Sequence, residues 1–335
     1  MDISVVIPTC NRKARLLSLL QCLDQSTHSF KEVIVVDSGE ERLSQVEYAG
    51  FKNLAVQYLS SAKSVCVQRN IGIQRATSPW IFLCDDDIEV PPGYIARLVA
   101  HIAMHAEAGA VTGMVLQQEN GEWKGTYPVT SVKALAWHYV FQLSLWGEIQ
   151  CSSNNFIARR IRKYYAQRGN HISKAGWPVL VDFSGEYVVS PVYGLGASLI
   201  KKEWLLQSPY DEVLDRYGIG DNYGVAVGFP LPGVHIVTTA FVYHHQETVN
   251  RLKRSLQYYR RTLALHYFIT TRPRVQHIKR YRLLWSLTGS ALGFLKQGDR
   301  VMLKAAMKAI RIIVQNKNPY TRAFKAGKRI TEPLL

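Results

Sequence analysis

The stretch Trp80-Ile81-Phe82-Leu83-Cys84-Asp85-Asp86-Asp87 passes without a break from an apolar run into three carboxylates. Residues 80–83 read as a buried strand that the aspartates close. In an open parallel sheet, ligands bind beyond the carboxyl ends of the strands. Three adjacent carboxylates there repel one another unless a cation sits among them. A hard divalent ion, Mg²⁺ or Mn²⁺, takes oxygen ligands from one or two carboxylates and fills its shell with diphosphate and water. It then neutralises charge growing on a leaving phosphate. The plain alternative is a solvated acidic turn or a helix cap before Pro91. The position directly after a buried strand favours the metal site.

Working outward, the same pattern recurs. Ile3 to Ile7 is a buried strand ending at Pro8-Thr9, followed by a helix over 13–24 with Leu16, Leu19, Leu20 and Leu23 on one face. Val33 to Val36 is a second strand, closed by Asp37-Ser38-Gly39. Leu54, Val56 and Tyr58 alternate as a third. Ser64 caps a helix to about Ala76. Pro91-Pro92 opens another, to about His105, and Ala110 to Leu116 is a fifth strand. Strand and helix alternating over short connections predict an α/β fold with a doubly wound, mostly parallel sheet. Two further strand ends carry chemistry. At Pro8-Thr9-Cys10-Asn11-Arg12, a polar turn opening a helix offers N–H groups to a nucleotide and Arg12 to a phosphate; a plain helix cap explains it equally well. Asp37 can accept hydrogen bonds from a base or ribose, or can simply shape the turn before Ser38-Gly39. No G-x-G-x-x-G follows the first strand, which argues against a nicotinamide cofactor.

Beyond residue 120 the signals change. From Lys124 to Pro191 periodicity weakens and the chain reads as an irregular lobe with interleaved Trp and basic residues. Residues 192–250 return to strands and turns, and from Arg251 the pattern is helical and basic. The expected organisation is 1–120, 121–250 and 251–335, with 121–250 completing the α/β domain begun by 1–120. Residues 251–335 hold 20 Lys and Arg against two acidic residues, a net +18, while the other 250 residues carry −2. One end therefore seeks anions. An amphipathic helix over 300–314 near Trp285 and Phe294 points to an anionic membrane surface. Nucleic acid is not expected, since no helix-turn-helix, RNA-recognition or zinc-finger module is visible. The five cysteines have no metal or disulfide spacing, which fits a reducing compartment. The N-terminal run shows no secretory signal. The longest apolar stretch, Leu283 to Leu295, is too short to span a bilayer.

Together the three strand ends resemble the N-terminal half of an inverting glycosyltransferase of family 2, with the GT-A fold and of the bacterial surface-polysaccharide type. The matching pieces are Val5 to Arg12, Val35 to Gly39, Arg69 to Gly72, and Phe82 to Asp87 followed by Pro91. They are clear over residues 3–116, weaker over 192–250, and do not reach 124–190. The resemblance implies a nucleotide-diphosphate-sugar donor, with Pro8, Thr9, Asn11, Arg12, Asp37, Arg69 and Asp85 around the nucleotide. It implies Asp86 as metal ligand, with Asp87 as the alternative in a D-x-D register. A base opposite the leaving diphosphate must take a proton from an acceptor hydroxyl. The family carries it in an acidic Glu-Asp pair after a small-residue segment like Tyr193 to Ser198. Here Gly220-Asp221-Asn222 departs from that pair. Asp221 is favoured because an amide cannot accept the proton, and Asp211 and Asp215 stand as alternatives. His244-His245 offers an imidazole to Mn²⁺, or a hydrogen-bonded strand end. The implied acceptor is a glycan or lipid-linked hydroxyl, and the implied location is cytoplasmic, peripheral at the inner membrane face. Two rivals remain: a sugar nucleotidyltransferase, weakened by the glycine-free loop Pro8 to Arg12, and a non-catalytic module that binds nucleotide sugar or a membrane partner.

Overall fold

A computed structural model describes residues 1–246 and 252–329. The boundary expected between 250 and 251 lies outside the described residues. The first strands and helices follow the apolar runs: β1 (Ile3–Thr9), α1 (Lys13–Asp24), β2 (Glu32–Asp37), α2 (Gln45–Ala49), β3 (Val56–Ser60), α3 (Val65–Arg75) and β4 (Trp80–Cys84). β1, β2 and β4 are buried at every position, as strands covered on both faces must be. β1 pairs in parallel with β2 and β4, and β2 with β3. Thr9 is in register with Asp37, so the polar ends of these strands open at one edge of the sheet. Ser64 accepts from the Val67 N–H and starts α3, as its position predicts. A Cβ on Gly72 would lie 2.4 Å from a Val6 methyl, so the missing side chain lets α3 lie close on β1.

β5 (Ile88–Glu89), α4 (Tyr94–Met104), β6 (Ala110–Glu119) and β7 (Glu122–Lys124) complete the first half. The lobe beyond 124 is more regular than its sequence suggests. It contains α5 (Val132–Phe141), β8 (Leu145–Trp146), α6 (Phe156–Arg168), β9 (His171–Ile172) and β10 (Pro178–Leu180), with β8, β10 and β9 forming a small sheet. Its own core contains Leu135, Ile161, Tyr165 and Val179. The periodicity is hard to see because α6 buries only Ala158, Ile161 and Tyr165 among many cations.

β11 (Tyr187–Ser190), β12 (Ala197–Lys201), α7 (Lys202–Gln207), α8 (Asp221–Ala226) and β13 (Val234–His244) return to the main sheet. Its order is β11-β13-β6-β12-β4-β1-β2-β3, with β12 antiparallel between β4 and β6 and β13 parallel to β6. The helices α9 (Arg254–Thr271), α10 (Arg280–Lys296), α11 (Arg300–Val314) and α12 (Pro319–Lys325) follow. They are not a loose basic tail. Leu263, Ala264, Tyr267 and Phe268 of α9 share one apolar cluster with Val6 and Leu83 of the sheet. α11 buries Met302, Ala306, Ala309 and Ile313 at helical spacing. No helix among the described residues is long and apolar enough to cross a membrane.

Candidate active site

The carboxyl ends of β1 and β4 converge on a cavity of about 330 Å³, within the size range of small-ligand sites. Pro8, Thr9 and Arg12 enter it from the end of β1, Arg69 from α3, and Asp85, Asp86 and Asp87 from the end of β4. Each aspartate has its own environment. Asp85 donates its backbone N–H to the Gly196 carbonyl at 2.8 Å, which ties the strand end to the small-residue segment before β12. Its side chain is 32% exposed and meets Arg69 Nη2 at 2.5 Å. Asp86 accepts from Thr9 Oγ1 at 2.7 Å and from Arg12 Nη1 at 2.8 Å. Burial pushes its carboxyl up to about 6, against the pull of Arg12. Asp87 lies 3.1 Å from Arg12 and 3.3 Å from His244 Nε2. Burial opposes its ionisation, but His244 and Arg12 outweigh that and hold the carboxyl below its ordinary range.

The Asp87–His244 contact follows from strand pairing. β5 joins β13 antiparallel with Ile88 opposite His244, which carries the histidine to the carboxylates. His245 is not brought there. Successive side chains of an extended chain point to opposite faces, and His245 contacts Glu89 at 2.7 Å and packs on the Trp123 ring. Of the two histidines only His244 lines the cavity. Among the described residues, no three His, Cys, Asp or Glu side chains form a ready metal cage. Asp87 and His244 are two donors in contact, and Arg12 already supplies positive charge to Asp86 and Asp87.

Arg69 organises the other side. It is 6% exposed and pairs with both Asp85 and Asp221, its guanidinium spanning the gap between them. Burial lowers the tendency of Arg69 to stay charged, and the two carboxylates more than restore it. Asp221 stands at the start of α8 and accepts from the Asn222 N–H at 2.6 Å. Burial raises its carboxyl above the ordinary range, opposed by Arg69 and reinforced by Asp85. Asp221 is reached through Arg69 rather than on the cavity wall. The alternatives are engaged elsewhere. Asp215 is fully buried against Arg260 at 3.0 Å, and Asp211 accepts from Tyr267 and Arg272.

Two expected nucleotide contacts do not line the cavity. Asp37 is 2% exposed, and its carboxylate accepts from the Gly39 N–H at 2.6 Å and from the Tyr58 hydroxyl. Asn11, at φ 52°, accepts from the Glu40 N–H at 2.7 Å and so braces the turn after β2. Other side chains were not foreseen. Lys63, Arg216 and Tyr217 line the cavity, and the lysine and the arginine add positive charge. Lys63 sits just past the end of β3, so the strand-end rule that picked out Asp37 also reaches it. Arg216 is set by a long-range contact, its carbonyl accepting from the Val65 N–H at 3.2 Å, and has no local signal. Gln68 donates to the carbonyls of Thr9 and Val36 at 2.6 and 2.7 Å, pinning the ends of β1 and β2 together.

Gly196 makes a specific prediction. A Cβ there would lie 2.2 Å from the Asp85 carboxylate. Gly196→Ala should turn that side chain away from Arg69 and weaken nucleotide binding by about tenfold, with a stability loss of about 1 kcal/mol or less, since the atom it strikes is the end of a side chain. Calorimetric titration with nucleotide and a urea melt check both parts. Unaltered binding would show that the approach of Gly196 to Asp85 does not matter.

Comparison with known proteins adds to this geometry. Residues 4–164 match the family described as Glycosyl transferase family 2. The match continues into the lobe beyond 124, which the strand-end motifs alone do not reach. An uncharacterized glycosyltransferase of Bacillus subtilis (strain 168), YwdF, is 31% identical over 136 residues, covering 39% of this chain and 48% of that protein. An uncharacterized glycosyltransferase of Haemophilus influenzae is 32% identical over 85 residues, covering 25% of this chain and 29% of its own length. The chain thus spans about half the length, or less, of the curated relatives it matches. Among solved structures, residues 1–349 of S. aureus TarS align at TM-score 0.51 with 14% identity, over 98% of this chain and 92% of that one. The same protein in complex with UDP-GlcNAc aligns with the same score and identity, over 98% and 93%. The mixed α/β architecture, with its central sheet and helical C-terminal region, is of the GT-A type that the motifs imply.

Proposed function

We propose that this chain, whose residues 4–164 match glycosyltransferase family 2, moves a sugar from a nucleotide-diphosphate-sugar donor to a hydroxyl of a glycan or lipid-linked acceptor, with inversion. The observation that carries this is the single cavity where Arg12 and Arg69 interleave with Asp85, Asp86 and Asp87. Arginine forks suit a diphosphate, and Lys63 and Arg216 add to the charge. Asp85, the most exposed of the three carboxylates, is assigned to accept from ribose hydroxyls. The acceptor oxygen bonds to the anomeric carbon as the bond to the diphosphate oxygen breaks, and the acceptor proton passes to a carboxylate. Asp221 is assigned that role because, of the three carboxylates considered, it alone contacts an arginine of the cavity. Burial raises its carboxyl above the ordinary range, which favours its taking up a proton. When bound, a divalent ion (Mn²⁺ or Mg²⁺) would add positive charge beside the diphosphate, and Asp87 and His244 would hold it.

A thermal-shift series with uridine, guanosine and thymidine diphosphates tests the donor half. Ligand at a hundred times its Kd stabilises the folded state by about 2.7 kcal/mol, a shift of several degrees. The matching diphosphate should do this more strongly with Mn²⁺ or Mg²⁺ than with EDTA. If none of the three moved the melting temperature, the proposal would fail.

The proposal extends to peripheral contact with an anionic membrane surface. Lys304, Lys308 and Arg311 lie exposed along α11. Deleting residues 297–335 would also remove the buried face of this helix, so charge reversal is the cleaner test. Lys304→Glu with Arg311→Glu should weaken co-sedimentation with phosphatidylserine vesicles by at least about tenfold, at about 1 kcal/mol per basic residue lost near the surface. Equal sedimentation of parent and variant would remove the membrane role from α11.

A further inference from the structure

Outside the donor cavity, an open groove of about 640 Å³ lies in the lobe beyond residue 124, between α5 and α6. We propose that it binds an anionic glycan, the charged part of the acceptor chain; the acceptor role rests on the sugar-transfer reading, the binding itself does not. α6 carries Arg159, Arg160, Arg162, Lys163 and Arg168 and no acidic residue. Two of these cations are engaged: Arg162 donates to the Cys151 carbonyl, and Arg168 lies 5.0 Å over the Tyr164 ring. Arg159, Arg160 and Lys163 line the groove, are exposed, and make no ion pair or side-chain hydrogen bond among the described residues. Like charges one turn apart on a helix are destabilising, and an anion lying across them relieves that cost.

The other walls point to sugar. Tyr139 and Tyr164 meet edge to face at 5.0 Å, and Phe156 at the rim is 65% exposed. The Tyr164 hydroxyl is buried without a hydrogen-bond partner among the described residues, and Gln167 adds an amide. Aromatic edges, a hydroxyl and an amide beside cations suit a ligand rich in both hydroxyls and negative charge. Nucleobases would need open ring faces. Those of Tyr164 are contested by Arg168 and by the rings of Tyr139 and Tyr165. A flat bilayer does not enter a groove. The lobe is also tied to the donor side, because Trp146 of β8 stacks on Tyr193 at 5.1 Å, three residues before Gly196.

The test uses the full chain and calorimetric titration with hexagalacturonate, a mannose-phosphate oligosaccharide, neutral maltohexaose, hexaglutamate and oligo-dT. One or both charged glycans should bind at least about tenfold more tightly than maltohexaose, hexaglutamate or oligo-dT, with the carboxylate and phosphate arms separating the two anion sources. Arg159→Ala/Arg160→Ala/Lys163→Ala should lose about tenfold or more of that affinity. Arg160→Glu alone should lose affinity in the same direction, which covers poor folding of the triple variant. Tyr164→Phe, which keeps the ring, should weaken binding less. Charged-glycan binding that survives both charge variants, or is absent in the parent, overturns the proposal. Equal binding of hexaglutamate or oligo-dT overturns it too, since the site would then read charge alone. Nucleoside-diphosphate thermal shifts are recorded on the same samples. Shifts that persist while charged glycans fail to bind sink the groove and leave the donor site standing; the converse sinks only the donor site.

Discussion

Replacing Arg69 by alanine should lower donor turnover by about 10²–10³-fold, the usual cost of removing one preorganised charge from a transition-state site. Arg69 is the only side chain seen to hold both Asp85 and Asp221 among the described residues. Without it the two carboxylates lose the cation that lies between them. The carboxyl of Asp221, already raised by burial, rises further, and a larger fraction is protonated when the acceptor must be deprotonated. The same substitution leaves a buried carboxylate unpaired, which costs about 3–5 kcal/mol of stability. Arg69→Lys separates the two effects, because an ammonium keeps the charge but cannot present two parallel donors to two carboxylates. It should recover most of the stability and only part of the rate. Turnover is read by nucleotide release, and stability by urea melts. Parental turnover in Arg69→Ala would exclude Asp221 from proton transfer and leave Asp85 without its assigned clamp.

The second large effect is on stability alone. Arg260 of α9 is wholly buried, with its guanidinium 3.0 Å from Asp215 and 5.2 Å over the Tyr217 ring. Tyr320 of α12 donates to the same carboxylate at 3.0 Å. This contact joins the C-terminal helices to the segment that carries Arg216, Tyr217 and Asp221. Arg260→Met keeps the volume but leaves Asp215 charged and unpaired in the core, and should cost about 3–5 kcal/mol. Arg260→Met with Asp215→Leu removes both charges and should regain most of that loss, since apolar replacement of a buried pair is often neutral. A denaturation midpoint that is unchanged in the single variant, or no better in the double, would show that the pair does not hold these helices. Loss of nucleotide affinity in the single variant would further show that the helical region positions the donor cavity.

Much of the donor half was legible in the sequence. β1, β2 and β4 are short apolar runs rich in β-branched or aromatic residues and bounded by turn signals, the pattern of strands buried on both faces. Their carboxyl ends are then fixed by chain direction, so Thr9 and Asp85 to Asp87 had to meet at one edge. The lobe was less legible, because α6 buries only Ala158, Ile161 and Tyr165 among five cations, too thin an apolar stripe for periodicity to reveal. The histidines illustrate the same boundary. Adjacent in sequence, they are told apart only by the pairing of Ile88 with His244.

What the amino-acid order determined by itself was the α/β framework, the cap at Ser64 and the cluster of aspartates after β4, because local burial and chain direction are written into the run of residues. What only the tertiary structure decided was which charges neutralise which. Arg69 and Asp221 are 152 residues apart, and Arg12 and Asp86 are 74 apart. Such pairings depend on how strands β1, β4 and helix α8 come together, and no local pattern encodes the distance between side chains from distant segments. The same holds for Asp37, whose carboxylate is taken up by Tyr58 from the neighbouring strand rather than left facing the cavity.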